Sequence, residues 1–331
     1  MRRAAANRQA RCRPADTLER PPVDGYTAPA VPTAFITFHF DPNLHLGDRL
    51  IRWETLAIGG SVLVALVLTS IIAGRIRLPQ LAHHQASTLR HLRRDDLLLV
   101  VLGVVPGAVL GGRLDYVLLH LDYYAANRAA ILDPANGGLA LSGAVLFGSL
   151  TGALVARLFD EPLGYWFNLA AAPLLLVLGL GKAALALGGT GQGLPSTINW
   201  ATRYLGTGPW GSLGPEIPSH PAQVYEALGV ALVLFLVTLA WDGGAFRSGD
   251  GRAFPLALGG WAAIRVGAAT TWRDLPVWGP LRTEQVVDLG VALLALVVWV
   301  VIVRRSRRAA LAPRTDEPTL SWPDPDRPPP F

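Results

Sequence analysis

Residues 173–193, PLLLVLGLGKAALALGGTGQG, decide how the rest of the chain is read. The run from Leu174 to Leu187 is apolar and long enough to enter a bilayer. Near its middle sits Lys182, the only lysine among the 29 basic residues of the chain. An ammonium at bilayer depth costs at least a few kcal/mol unless it is paired or solvated, so such a residue marks a functional site by default. The plain alternative is a structural ion pair with a carboxylate elsewhere in the bundle. Gly188, Gly189, Gly191 and Gly193 close the stretch and let backbone approach a ligand or another helix.

Working outward, the composition agrees. The 331 residues are 51% hydrophobic and only 16% charged, whereas soluble domains carry about 25% charged residues. The chain therefore reads as an all-α integral membrane protein. Its formal net charge of +5 raises nucleic acid as a partner. The arginines, however, cluster at the ends of apolar runs, and no basic stripe interleaved with aromatics is present, so nucleic acid is not expected. Cys12 is the single cysteine, which excludes an intramolecular disulfide and a Cys-based metal site. No metal or cofactor is expected, and a monomer is.

Seven apolar runs each approach the roughly 20 residues needed to cross a hydrocarbon core: 54–74, 97–119, 138–159, 165–188, 222–241, 253–271 and 284–303. Residues 1–32, rich in Arg, Ala and Pro, show no period and read as a disordered extension or a start placed too far upstream. The segment FITFHFDPNLHLGDRLIRWE (35–54) reads as strand-like or amphipathic. The transmembrane domain spans 33–308, with a long polar-aromatic loop at 189–220 whose Trp200, Tyr204 and Trp210 suit an interfacial belt. Residues 309–331 read as a disordered tail. Arg75, Arg77, Arg90, Arg93 and Arg94 follow the first run, and Arg304, Arg305, Arg307 and Arg308 end the last. By the positive-inside rule the N-terminal side lies outside, the C-terminus is cytoplasmic and loop 189–220 is extracytoplasmic.

Seven residues are ionisable inside or at the mouths of these runs: Glu54, Arg113, Asp115, Lys182, Glu226, Arg265 and Asp288. Such groups face a bundle interior, pairing or lining a polar path. Gly103, Gly107 and Gly111 recur every four residues, as do Gly148 and Gly152, the spacing of closely packed helices. Arg113, Tyr116 and His120 share a helix face, where a guanidinium can clamp phosphate bidentately. Gln223 and Glu226 share a face of the fifth run, with His220 just outside it. Arg265 lies mid-helix with no acid nearby in sequence, which makes it the leading anion-binding candidate. His83, His84 and His91 lie in an arginine-rich loop without acidic or Cys ligands and are not read as a metal site. GGTGQG lacks the strand and the GK[ST] of a phosphate loop.

Four segments in order resemble the bacterial prolipoprotein diacylglyceryl transferase family: FDPNLHLGDRLIRWETLAIGG (40–60), GGRLDYVLLH (111–120), HPAQVYEAL (220–228) and AAIRVGAATTWRD (262–274). The resemblance implies transfer of diacylglyceryl from phosphatidylglycerol to the lipobox cysteine thiol of a prolipoprotein signal peptide, in the bacterial cytoplasmic membrane and without a cofactor. It implies substrate binding by Arg113, Tyr116, Lys182, Gln223, Tyr225, Arg265 and Arg273, and catalysis by His220, Glu226 and Glu54. Thiolate attack needs a base near the thiol, and a departing phosphate needs cations. The chain also departs from the family. Ser142, in GGLALSGAV, stands where the family has His. Glu54, in Arg52-Trp53-Glu54, stands where it has Tyr. Lys182 replaces the arginine of a signature whose asparagines and glutamate are absent, and lysine lacks the bidentate fork. A non-catalytic homologue that binds anionic phospholipid or a lipoprotein precursor is the alternative. A transporter would call for corresponding interrupted segments, which are not seen.

Overall fold

The computed structural model describes residues 35–74, 94–131, 138–159, 163–206, 208–214, 217–246 and 249–311. The 1–32 extension with Cys12, the His83, His84 and His91 loop, and residues 312–331 of the expected tail lie outside them.

The strand-like entry segment forms three short strands, β1 (Ile36–His39), β2 (Asn43–Leu46) and β3 (Arg49–Arg52). β2 and β3 are an antiparallel hairpin turning at Gly47, whose φ of 60° is one that side chains with a Cβ rarely adopt. The helices are α1 (Trp53–Ala73), α2 (Arg94–Leu119), the short α3 (Leu121–Ala126), α4 (Leu141–Leu158), α5 (Leu163–Leu185), α6 (Ala222–Asp242), α7 (Ala253–Ala268) and α8 (Thr283–Leu311). Loop 189–220 contributes β4 (Thr202–Leu205), parallel to β1. A last hairpin, β5 (Pro276–Trp278) and β6 (Leu281–Arg282), leads into α8.

Six of these helices are long and apolar enough to cross a membrane: α1, α2, α4, α5, α6 and α8. The seventh apolar run divides into α7, with 16 residues, and a 3₁₀ turn at Ala269–Thr271. At 1.5 Å per residue α7 is about 24 Å long, short of a hydrocarbon core of about 30 Å. It lies in the core of the bundle. Ala253, Ala257, Trp261 and Ala262 are fully buried, packing with Leu175 of α5, Val230 of α6 and Val291 of α8. α8 continues to Leu311, past the 308 boundary expected from the arginines.

Helix starts borrow side chains from other elements. The Asp115 carboxylate accepts from Gly143 N–H at 2.8 Å in the first turn of α4, and Asn168 Oδ1 accepts from Ala253 N–H at 3.1 Å at the start of α7. Both satisfy donors a helix start leaves unpaired, and the carboxylate adds a favourable term at the positive dipole end. α2 and α4 interlock through their glycines. A Cβ on Gly107 would collide with Thr151, and one on Gly111 with Phe147 and the Gly143 carbonyl. The close-packing reading of these glycines stands.

The interfacial reading of Tyr204 does not. Tyr204 is fully buried, stacked on Phe38 at 5.0 Å and tilted against Trp210 at 5.1 Å. Pairing β4 with β1 brings Phe38 opposite Tyr204, a partner 166 positions away. Burial pushes its phenol up to about 12, with the Glu54 charge acting the same way against a hydrogen bond from Gln223.

Candidate active site

One end of the bundle gathers the start of α1, the end of α5, the start of α6, the end of α7 and the start of α8. Lys182 lies one turn before the end of α5, and its Nζ sits 2.9 Å from Glu226 Oε2. Glu226 Oε1 is 3.3 Å from Arg265. The same guanidinium holds Glu284 Oε2 at 2.6 Å and Asp288 Oδ2 at 2.9 Å. Glu284 and Asp288 are four residues apart and so share a face of α8. Ser142 of α4 donates to the remaining Asp288 oxygen at 2.6 Å. Trp272 lies against both cations, 5.4 Å from Lys182 Nζ and 4.9 Å from the Arg265 guanidinium carbon, with Trp261 5.3 Å from the latter.

This geometry corrects the reading of Arg265 as the leading phosphate ligand. Its side chain is 2% exposed, and Nε and both terminal nitrogens are each committed to a carboxylate. The anion it needed comes from α6 and α8. Glu226, expected as a catalytic group, likewise has both oxygens held by cations. Carboxylates taken out of water are tolerable only with such pairing, because desolvation costs several kcal/mol per ion.

Beside this cluster is a polar cavity of about 270 Å³ lined by Lys182, Gln192, Gln223, Glu226, Trp272, Arg273, Asp274 and Glu284. Gln192 Nε2 donates to the Thr202 carbonyl and hydroxyl oxygens, both at 2.8 Å, and Gln223 Nε2 donates to Tyr204 Oη at 3.4 Å. The Oε1 atoms of both glutamines are buried without a hydrogen-bond partner among the described residues, two unpaired acceptors in the wall behind the cavity. Arg273 Nε donates to the Gln192 carbonyl at 2.8 Å. Its terminal nitrogens have no hydrogen bond or ion pair among the described residues. Gly191, at φ 79°, allows the turn that carries Gln192 back to this wall.

A second cavity, of about 720 Å³ and almost wholly apolar, runs between α1, α4 and α5. On α5 its lining extends from Leu163 to Leu185, the whole helix, or about 33 Å at 1.5 Å per residue. Lys182 lines both cavities.

The other predicted residues lie elsewhere. Arg113 donates to three backbone carbonyls, Ala130 at 2.6 Å, Ile131 at 2.9 Å and Gly138 at 3.4 Å, and lines neither cavity. The structure gives Arg113 to a loop and does not join it to Lys182. Tyr116 packs on His120 with centroids 4.2 Å apart. His220 Nδ1 is 3.3 Å from Tyr225 Oη, which accepts from Trp200 Nε1 at 2.8 Å. Glu54 pairs with Arg52 at 3.0 Å and accepts from Thr190 at 3.1 Å. Neither His220 nor Glu54 lines the polar cavity. Sequence reasoning passed over Gln192, Trp272, Asp274 and Glu284. Only Glu284 carried a signal, its i, i+4 spacing to Asp288.

A helical bundle with an ionic site at one end, joined through one lysine to a long apolar cavity, defines a multi-pass membrane protein of the lipid-handling kind. Comparison with known proteins gives the particular family. The family model for prolipoprotein diacylglyceryl transferase matches residues 44–301, and the chain belongs to that family. It is similar to the phosphatidylglycerol–prolipoprotein diacylglyceryl transferase of Nostoc sp., with 29% identity over 286 residues, 83% of this chain and 95% of the relative. The enzyme of the same name from Geobacter sulfurreducens is 29% identical over 206 residues, 61% and 71% of the two chains. That of Brucella anthropi is 34% identical over 158 residues, 44% and 54%.

Proposed function

We propose that this transferase moves a diacylglyceryl group from phosphatidylglycerol to the thiol of a lipobox cysteine on a prolipoprotein signal peptide. The observation that carries the reading is the position of Lys182 in both cavities. A phospholipid is an anionic head joined through a glycerol diester to long apolar chains, and its phosphate is the one charged group near that junction. Acyl chains then lie along α5, and the headgroup occupies the polar cavity.

Lys182 and Arg273 hold the phosphate, and Gln223 faces the headgroup glycerol. Arg265 and Glu226 position Lys182 without themselves binding lipid. Sulfur attacks the glyceryl carbon, the C–O bond to phosphate breaks, and the two cations stabilise the second charge that develops on the leaving glycerol phosphate. His220, Tyr225 and Trp200 stand on loop 189–220 and the start of α6, where an incoming peptide would pass.

The site and the C-terminal arginines of α8 occupy opposite ends of the bundle. With those arginines cytoplasmic, the site opens on the extracytoplasmic side of the bacterial cytoplasmic membrane. In this reading α7, although shorter than a hydrocarbon core, carries the chain back to the site end inside the shell of longer helices and counts as the seventh crossing, and the protein acts as a monomer.

The test is complementation of a strain depleted of its own transferase, scored by lipidation of a reporter lipoprotein. Lipidation is expected. A chain present in membranes that never modifies the reporter overturns the proposal. The committed state of Arg265 and the lysine at position 182 favour a second reading, a phospholipid or precursor binder without turnover. Phosphatidylglycerol that co-purifies with the protein but is never converted supports it.

A further inference from the structure

Thiol transfer needs a proton acceptor, and the residues first expected to supply one do not stand in the cavity with a free atom. Glu226 lines it with both oxygens held by cations. Asp288 is fully buried, with one oxygen on Arg265 and the other on Ser142. His220 and Glu54 do not line it.

Glu284 differs on each count. It lines the polar cavity with Lys182 and Arg273, and its side chain is 37% exposed. Arg265 fixes one oxygen, Oε2, at 2.6 Å. The other, Oε1, has no hydrogen-bond or ion-pair partner among the described residues. A carboxylate clamped by one oxygen, with the second unpartnered at the wall of a polar cavity, has the geometry of a general base. Asp274 also lines the cavity, but it is exposed and follows the 3₁₀ turn without a side-chain clamp.

We propose that Glu284 takes the proton from the lipobox thiol; this rests on the transfer reaction above. The thiol S–H breaks with its proton passing to Glu284 Oε1. The sulfur electron pair forms the S–C bond to the glyceryl carbon, and the C–O bond to phosphate breaks with its pair leaving on glycerol phosphate. The departing group carries two charges until it takes up a proton, and the one on Glu284 is at hand.

The charges favour this transfer. Lining the site or paired directly behind it are three cations, Lys182, Arg265 and Arg273, against four carboxylates, Glu226, Asp274, Glu284 and Asp288. The phosphodiester of the lipid adds a further negative charge, and a proton on one carboxylate reduces that excess.

The experiment compares wild type, Glu284→Gln and Glu284→Asp in membranes, measuring the initial rate of reporter-peptide lipidation with phosphatidylglycerol from pH 6 to 9.5. Glu284→Gln is expected to lower the rate at pH 7 by about 100-fold or more, with KM for phosphatidylglycerol within about threefold. Its deficit should shrink as pH approaches the thiol's own value near 8.5, because the substrate then ionises unaided. Glu284→Asp should restore part of the rate at pH 7. A purely structural role would give a deficit that does not change with pH, and that result overturns the proposal. So does a wild-type rate in Glu284→Gln, or a pH-dependent loss carried by Asp274→Asn instead. Failure of the wild type itself to lipidate any reporter overturns the transfer reaction, and this assignment with it.

Discussion

At the scale of single residues, Arg265 within the sixth apolar run and Arg273 just beyond it have opposite fates. Arg265 is the shared counter-ion of three carboxylates, and replacing it by leucine takes that counter-ion from Glu226 and Asp288, which are both buried, and from the half-exposed Glu284. That should cost about 3–5 kcal/mol and be visible as a drop in the thermal midpoint of the detergent-solubilised protein. Arg273 donates one hydrogen bond to a carbonyl and keeps its remaining donors for the cavity. Arg273→Ala should leave the midpoint nearly unchanged and raise KM for phosphatidylglycerol about tenfold or more, since a charged hydrogen bond is worth about 1.5–3 kcal/mol. Tyr204 adds a pH test. Its folded value of about 12 lies above the ordinary 10, so its contribution is complete below pH 10 and is lost as pH rises toward 12. The loss is on the order of 2 kcal/mol. Tyr204→Phe should flatten that alkaline limb in a series of melts between pH 9 and 12.

At the scale of elements, the α2–α4 pair depends on absent side chains. A methyl on Gly107 would meet the Thr151 side chain and the Phe147 carbonyl, so Gly107→Ala should destabilise by about 1–3 kcal/mol through overpacking. Gly181 on α5 is the control, because a Cβ there meets nothing within 4 Å. Gly181→Ala should be neutral or gain about 0.5–1 kcal/mol from helix propensity. Thermal midpoints of the two variants in one detergent settle the contrast. Much at this scale was legible. Except at the end of α8, which runs eight residues past the expected 303, the helix bounds follow the apolar runs to within a few residues, and the glycine periods marked the packed faces. The inner position of α7 was not legible, because a 16-residue apolar helix has the same composition whether it faces lipid or other helices.

At the scale of the whole molecule, two cavities of opposite character meet at one side chain. Filling the apolar one should be felt by lipid tails and not by the ionic cluster. Ala170→Phe, in the cavity wall on α5, is expected to lower transfer from long-chain phosphatidylglycerol by about tenfold or more, since even overpacking by methylenes costs about 1–3 kcal/mol and this change adds a phenyl ring. Transfer from dioctanoyl phosphatidylglycerol should be largely spared in the same peptide-lipidation assay. Equal loss with both lipids would place the acyl chains elsewhere.

The sequence alone determined that the chain is a membrane bundle, because an apolar run must bury its backbone groups in helix wherever it lies. It also marked Lys182 as a charge in need of a partner and placed Gln223 and Glu226 on one helix face, since a charge at that depth must be paired and i, i+3 spacing sets a common face. Only the tertiary structure decided which charges remain available. Glu226 lies 44 residues from Lys182, Asp288 lies 23 from Arg265, and Ser142 lies 146 from Asp288. Pairing at such separations is set by how helices pack, which no local pattern encodes. It turned the expected phosphate ligand Arg265 into an internal counter-ion, separated Arg113 from the cluster, and left Arg273 and Glu284 with free atoms facing the polar cavity beside Lys182.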